Sequence, residues 1–124
     1  MILRNGVDIV DLTDLQRRMD RSQNDLLAAF LTKAEQDYVN GRVDRAGTRW
    51  AAKEATMKSL GLGLDVIGPH DVEVVDNGGA PGLILHGGAI RRARELNLTI
   101  WTLSLSHTPQ FAIASVVAFG ESHA

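Results

Sequence analysis

The chain has 124 residues, 44% hydrophobic and 23% charged, with a formal net charge of −2 and no cysteine. That length predicts one domain spanning 1–124 with its own core, and the near-neutral charge argues against a dedicated nucleic-acid binder. The lack of cysteine excludes disulfides, zinc–thiolate centres and thiol catalysis. The start, Met1 to Gly6, has no basic segment followed by a long apolar run. No apolar stretch approaches the roughly 20 residues needed to span a bilayer, so the expectation is a cytoplasmic protein without membrane contact.

Ile2 to Val10 is a β-branched apolar run interrupted by Asp8 and predicts a first strand. Asp11 is placed to N-cap a helix in which Leu12, Leu15 and Met19 recur at helical spacing. Asp25 to Leu31 predicts a short apolar helix. Thr32-Lys33-Ala34-Glu35 has the capping-box pattern and predicts another, fading near Gly41. Arg45 to Leu60, rich in Ala, Lys, Glu and Met, is the strongest helix signal and stops at Gly61. A glycine-punctuated loop, Gly61 to Pro69, precedes strands at Val72–Asp76 and Leu83–His86, joined by a turn over Asn77–Pro81. Gly88 to Asn97 predicts a helix with Ile90, Ala93 and Leu96 inward. Thr99–Ser106 and Phe111–Phe119 predict two strands around a turn at Thr108-Pro109-Gln110. This order predicts an α+β domain, a small antiparallel β-sheet with helices on one side and one long helix among them.

Three features carry candidate chemistry. Asp8 is a carboxylate inside an apolar strand; it holds a hard metal ion, or it sits at an exposed position, or it pairs with an arginine. On the long helix, Glu54 lies beside the Trp50 and Met57 stripe and Lys58 follows at i+4, as a solvated pair or as a carboxylate for a cation with a lysine for its phosphates. Arg49 and Lys53 lie on the other flank. Ala51, Ala52 and Ala55 form a small-residue face suited to close packing. Ser106-His107-Thr108, at a strand end, binds an anion or shapes a turn. No Ser-His-Asp spacing supports a hydrolase triad, and Gly61-Leu-Gly63 is followed by no P-loop Lys-Ser/Thr.

Together these pieces resemble the holo-acyl-carrier-protein synthase family of 4′-phosphopantetheinyl transferases. The resemblance rests on Gly6-Val7-Asp8-Ile9, Trp50-Ala-Ala-Lys-Glu-Ala55 with Lys58, the Gly61/Gly63 doublet, the Gly79-Ala80-Pro81 turn, and Ser106-His107-Thr108. It implies Mg²⁺-dependent transfer of the phosphopantetheine arm of coenzyme A to a serine of an acyl carrier protein. By the same resemblance, Asp8 and Glu54 hold Mg²⁺, and Lys58 stabilises charge on the pyrophosphate. Arg49, Ser106, His107 and Thr108 contact phosphate oxygens, including the 3′-phosphate. Backbone at Gly61 and Gly63 approaches the cofactor, Pro81 lies near the adenine, and a metal-linked water leaning on Asp8 or Glu54 takes the serine proton. The family implies a homotrimer with sites at subunit interfaces, and an acidic carrier protein docking on Arg17, Arg18 and Arg21. Many members carry an arginine six residues after the metal aspartate; this chain has Asp14 there, which shifts the docking or the partner. The competing readings are a non-catalytic trimeric module binding coenzyme A or a carrier protein, and another Mg²⁺-dependent nucleotide enzyme.

Overall fold

The computed structural model describes residues 1–22, 25–63, 66–76 and 78–121. Strand β1 (Ile2–Asp11) runs directly into helix α1 (Leu12–Ser22). Asp11 sets that boundary as its sequence context predicts: its Oδ1 accepts a hydrogen bond from the Asp14 amide at 3.1 Å, satisfying an orphan N–H of the first turn. Helices α2 (Asp25–Phe30) and α3 (Lys33–Val39) follow. The capping box is present: Thr32 Oγ1 accepts from the Glu35 amide at 3.2 Å, and Glu35 Oε1 accepts from the Thr32 amide at 2.8 Å.

Helix α4 (Val43–Leu60) begins two residues before the expected Arg45 and ends at Gly61, where φ is +71°. A left-handed C-cap of this kind suits glycine because no Cβ opposes it. A short 3₁₀ turn at Pro69–Asp71 leads into β2 (Val72–Asp76), β3 (Pro81–Leu85), α5 (Gly87–Glu95), β4 (Ile100–His107) and β5 (Phe111–Gly120). β3 starts at Pro81 rather than Leu83, since Pro81 pairs with Asp76; proline is tolerated as the first residue of a strand. In α5 the inward stripe is Ala89, Ala93 and Leu96 rather than one starting at Ile90, and the two alanines are fully buried. Asn77 of the expected turn, and Leu64 and Asp65 of the glycine loop, lie outside the described residues.

The strands form a three-stranded antiparallel sheet in the order β1-β5-β4 and a β2-β3 hairpin, which is the α+β arrangement expected. Helix α4 lies across one face of the larger sheet and bears the core of the molecule. Ala51, Ala52 and Ala55 are completely buried there. Gly6 of β1 sits so close that a methyl group on it would run into the Ala55 carbonyl, so glycine sets the strand–helix distance. The opposite sheet face carries Leu3, Val7 and Ile9 of β1, Ile100 of β4, and Phe111, Ile113 and Val117 of β5, all exposed. They stand among the exposed polar residues Asn5, Ser115, Thr102 and Ser104, yet so many large apolar side chains on one open sheet face are unusual on a solvated surface.

Lys53 departs from its expected place on an open flank. Its ammonium is buried and donates to Glu35 Oε1 at 2.7 Å and to the carbonyls of Pro69 at 2.8 Å and Val72 at 2.5 Å. Glu35 Oε2 accepts from the Val74 amide at 2.9 Å. One ion pair therefore ties α3, α4 and β2 together and satisfies four otherwise orphaned backbone groups. No helix among the described residues is long and apolar enough to cross a membrane.

Candidate active site

Even-numbered residues of β1 point towards α4, which brings Asp8 beside the second half of that helix. The side chain is neither well exposed nor paired with arginine. Lys58 donates to Asp8 Oδ1 at 3.1 Å and to the Val7 carbonyl at 3.0 Å. This corrects the expected Glu54–Lys58 pair: among the described residues, the lysine reaches across to the strand. Partial burial first, and then the charge on Asp8, hold the Glu54 carboxyl above its ordinary range, with Lys58 pulling it back. Asp8 and Glu54, with Asp11, Asp14, Leu15 and Trp50, line a cavity of about 250 Å³.

Asp8 and Glu54 share this open recess with Asp11, Asp14 and Arg18; burial and then the Asp8 charge disfavour ionised Glu54, and a divalent cation between Asp8 and Glu54 relieves both costs. No third His, Cys, Asp or Glu completes a metal cage among the described residues. That composition suits Mg²⁺, which keeps waters and substrate phosphates in its shell and takes one or two carboxylates from protein.

Gly61 closes α4 under two guanidinium groups. Arg4 Nε donates to the Ser59 carbonyl at 2.9 Å and Arg92 Nε to the Leu60 carbonyl at 3.0 Å, which satisfies the last turn and complements its dipole. A Cβ at Gly61 would stand 3.0 Å from Arg4 Nη2. The Gly63 carbonyl accepts from the amides of Val66 and Ile67, both at 3.0 Å, and so folds back into the loop.

A second, larger cavity of about 520 Å³ lies elsewhere on the chain, lined by Tyr38, Arg45, Arg49, Pro81, Ser106 and His107 among others. Arg49 is 5% exposed, its guanidinium lies 4.0 Å over the Tyr38 ring, and its Nη1 donates to Thr48 Oγ1 at 3.2 Å. Its Nε is buried without a hydrogen-bond partner among the described residues. Burial pulls the Arg49 pKa down while Tyr38, Glu35 and Asp76 act against that fall, so this is a charged group with one unpartnered N–H beside a cavity. His107 Nε2 stands 3.7 Å from Asp44 Oδ2. Arg42 grips Asp44 with contacts of 2.7 and 3.2 Å and, as donor and neighbouring charge, holds that carboxyl below the usual range. Thr108 builds the β4–β5 turn, its Oγ1 accepting from the amides of Gln110 at 3.2 Å and Phe111 at 3.1 Å, and it lines a neighbouring recess that shares Asp44 and His107 with this cavity.

The expected site residues thus fall into two groups. Asp8, Glu54, Lys58 and Gly61 cluster at one end of α4; Arg49, Pro81, Ser106 and His107 surround the other cavity. At about 100° per residue, Arg49 projects roughly 140° from Glu54 and 180° from Lys58. The sequence reading missed Tyr38 and Arg45. Their signal was the spacing of Arg42, Arg45 and Arg49, at i, i+3 and i+7, which puts three guanidinium groups on one helical face. On α1, Arg17, Arg18 and Arg21 are exposed as expected, but Asp14 stands 3.4 Å from Arg17, and Arg18 lies 5.5 Å over the Trp50 ring.

A family model described as the 4′-phosphopantetheinyl transferase superfamily matches residues 4–114, a span that includes both groups. The chain belongs to this superfamily. Within it, the chain is 42% identical over 122 residues to the holo-[acyl-carrier-protein] synthase of Geobacter metallireducens, covering 94% of this chain and 97% of that protein. It is also 42% identical to the holo-[acyl-carrier-protein] synthase of Moorella thermoacetica, over 98% of this chain and 95% of the relative. Among solved superfamily structures, the fold is similar to Helicobacter pylori holo-[acyl-carrier-protein] synthase in complex with coenzyme A. That likeness has a TM-score of 0.83 at 26% identity over 93% of this chain and 99% of the other.

Proposed function

We infer that this chain is a holo-acyl-carrier-protein synthase: it transfers 4′-phosphopantetheine from coenzyme A to a serine hydroxyl of an apo acyl carrier protein, releasing adenosine 3′,5′-bisphosphate. The observation that carries the reading is the Asp8–Glu54–Lys58 cluster, two carboxylates lining one open recess with the Lys58 ammonium donating to Asp8, in a chain of this superfamily.

Asp8 and Glu54 would hold Mg²⁺, which supplies charge neutralisation at the pyrophosphate when bound. Lys58, fixed by Asp8 and the Val7 carbonyl, presents its remaining N–H to the phosphate that leaves with the nucleotide. The serine oxygen forms a bond to the phosphorus bearing pantetheine as the bridging P–O bond to the nucleotide phosphate breaks. The serine proton passes to a water held by Asp8 or Glu54. Arg49, Ser106 and His107 bind phosphate, and the Pro81 turn meets the adenine.

One chain does not bring these two groups together, and the apolar sheet face gives the reason to look for a second. Burying Leu3, Val7, Ile9, Ile113 and Val117 against copies of themselves supports a homotrimer in which the Asp8–Glu54 end of one subunit meets the Arg49–His107 cavity of the next. Arg17, Arg18 and Arg21 form the face for the acidic carrier protein, with Asp14 neutralising Arg17 and leaving Arg18 and Arg21 to carry the attraction. The lack of cysteine fits a cytoplasmic setting.

The test is intact-mass measurement of an apo acyl carrier protein incubated with this chain, coenzyme A and Mg²⁺, beside an EDTA control. The expected result is a gain of one phosphopantetheine, lost with EDTA. Coenzyme A binding with no transfer to any carrier protein would instead make the chain a binding module.

A further inference from the structure

The recess at Asp8 and Glu54 holds a charge to which the proposed chemistry gives no part. Of its lining side chains, Asp8, Asp11, Asp14 and Glu54 are carboxylates, and among the described residues Arg18 is the one cation on its wall. Asp8 accepts from Lys58, Asp11 from the Asp14 amide, and Asp14 stands 3.4 Å from Arg17. Arg18 follows Asp14 at i+4, a spacing that favours an ion pair, yet Arg17 takes that carboxylate and no other described residue forms an ion pair with Arg18. Its seat is Trp50 instead. The guanidinium lies 5.5 Å from the centre of that ring, and Phe30 packs edge-on against the indole at 4.2 Å between ring centroids. Trp50 and Glu54 are one turn apart on α4, so this seat sets Arg18 beside the carboxylate pair. A guanidinium resting on an aromatic face keeps its in-plane N–H fork for a ligand in the recess.

We propose that Arg18 is a catalytic residue of the transfer, its guanidinium donating to the oxygens of the phosphoryl group as that group passes to the carrier serine. The proposal rests on the coenzyme A reading above and gives Arg18 a task beyond drawing in the acidic carrier. A phosphoryl group entering this recess meets four carboxylates, and the Trp50-seated guanidinium offsets that field from the wall. The serine oxygen bonds to phosphorus while the bridging P–O bond breaks. Its electron pair stays on the nucleotide phosphate, and the serine proton goes to the water held by Asp8 or Glu54. Negative charge then spreads over the three equatorial oxygens of the group in transit. A planar donor already fixed beside them gains most at that moment, so the contribution of Arg18 falls on the chemical step. Arg21, one turn further along α1, does not line the recess and acts on the carrier alone.

The experiment is steady-state kinetics of transfer from coenzyme A to an apo acyl carrier protein, with carrier concentration varied, for wild type, Arg18→Ala, Arg18→Lys and Arg21→Ala. Arg18→Ala is expected to lower kcat about a hundredfold, the cost of removing one transition-state donor. Arg18→Lys is expected to recover about tenfold of that loss, since a lysine restores the charge without the planar fork. The effect of Arg21→Ala is expected on the KM for the carrier, as a docking charge requires. Calorimetric binding of coenzyme A, with no carrier present, reports that each variant is folded. A rise in KM with kcat unchanged in Arg18→Ala makes Arg18 a docking charge like Arg21 and overturns the proposal, as does no change in either constant. Both of those outcomes leave the coenzyme A reading standing. Failure of wild type to transfer to any carrier protein overturns both.

Discussion

Glu54 carries a cost to the fold at the position where the proposed reaction places a metal-holding carboxylate. Burial and the Asp8 charge raise its pKa, so the folded protein keeps that proton to higher pH than the unfolded chain does. Between the two pKa values the folded state binds more protons, and stability falls as pH rises through that window. At neutral pH the ionised carboxylate is therefore a strain on the metal-free protein. Glu54→Gln is expected to raise the melting temperature in EDTA at pH 7, with the gain shrinking at acid pH where wild-type Glu54 is also neutral. The same variant is expected to lose transfer activity by about a hundredfold or more, because it removes charge from the transition-state environment. A melting point lower than wild type under those conditions would show that burial and the Asp8 charge do not disfavour ionised Glu54.

Elements were legible where one residue makes a choice the backbone must follow. Asp11, the Thr32–Glu35 box and Gly61 set element ends by local hydrogen bonds or left-handed geometry, and those ends lie where the sequence puts them. Lys53 was not legible. On a wheel it belongs to a charged flank; its burial follows from β2 and the 3₁₀ turn arriving over that flank, a contact across 16 to 19 residues. Lys53→Met is expected to cost about 3–5 kcal/mol in denaturant unfolding, because Glu35 is left as a buried unpaired charge. Adding Glu35→Leu is expected to recover little. The pair also satisfies two carbonyls and two amides, and an apolar pair leaves all four without partners. Full recovery in the double variant would mean that the pair contributes only its own attraction.

At the scale of the whole molecule, the sequence described every strand but not what faces the outside of the sheet. β1 and β5 carry apolar residues on both parities, so no alternation distinguishes the face that meets α4 from the face that does not. The division of the site was more accessible. The residue numbers of Arg49, Glu54 and Lys58 already place them on different sides of one helix, and a resemblance that names them together hides that angle. If, as proposed, Glu54 serves the metal and Arg49 the phosphate in a site shared between subunits, inactivity in this protein should be divisible between subunits. A chain crippled at Glu54 still offers a sound Arg49 cavity, and a chain crippled at Arg49 still offers a sound carboxylate pair. Co-expressed in equal amounts, Glu54→Gln and Arg49→Ala chains assembling at random are expected to regain about a quarter of wild-type activity, since each competent site needs one particular neighbour on each side. Two dead variants would thus make a working enzyme, and a mixture that stays as inactive as its parents would place both groups in a single subunit.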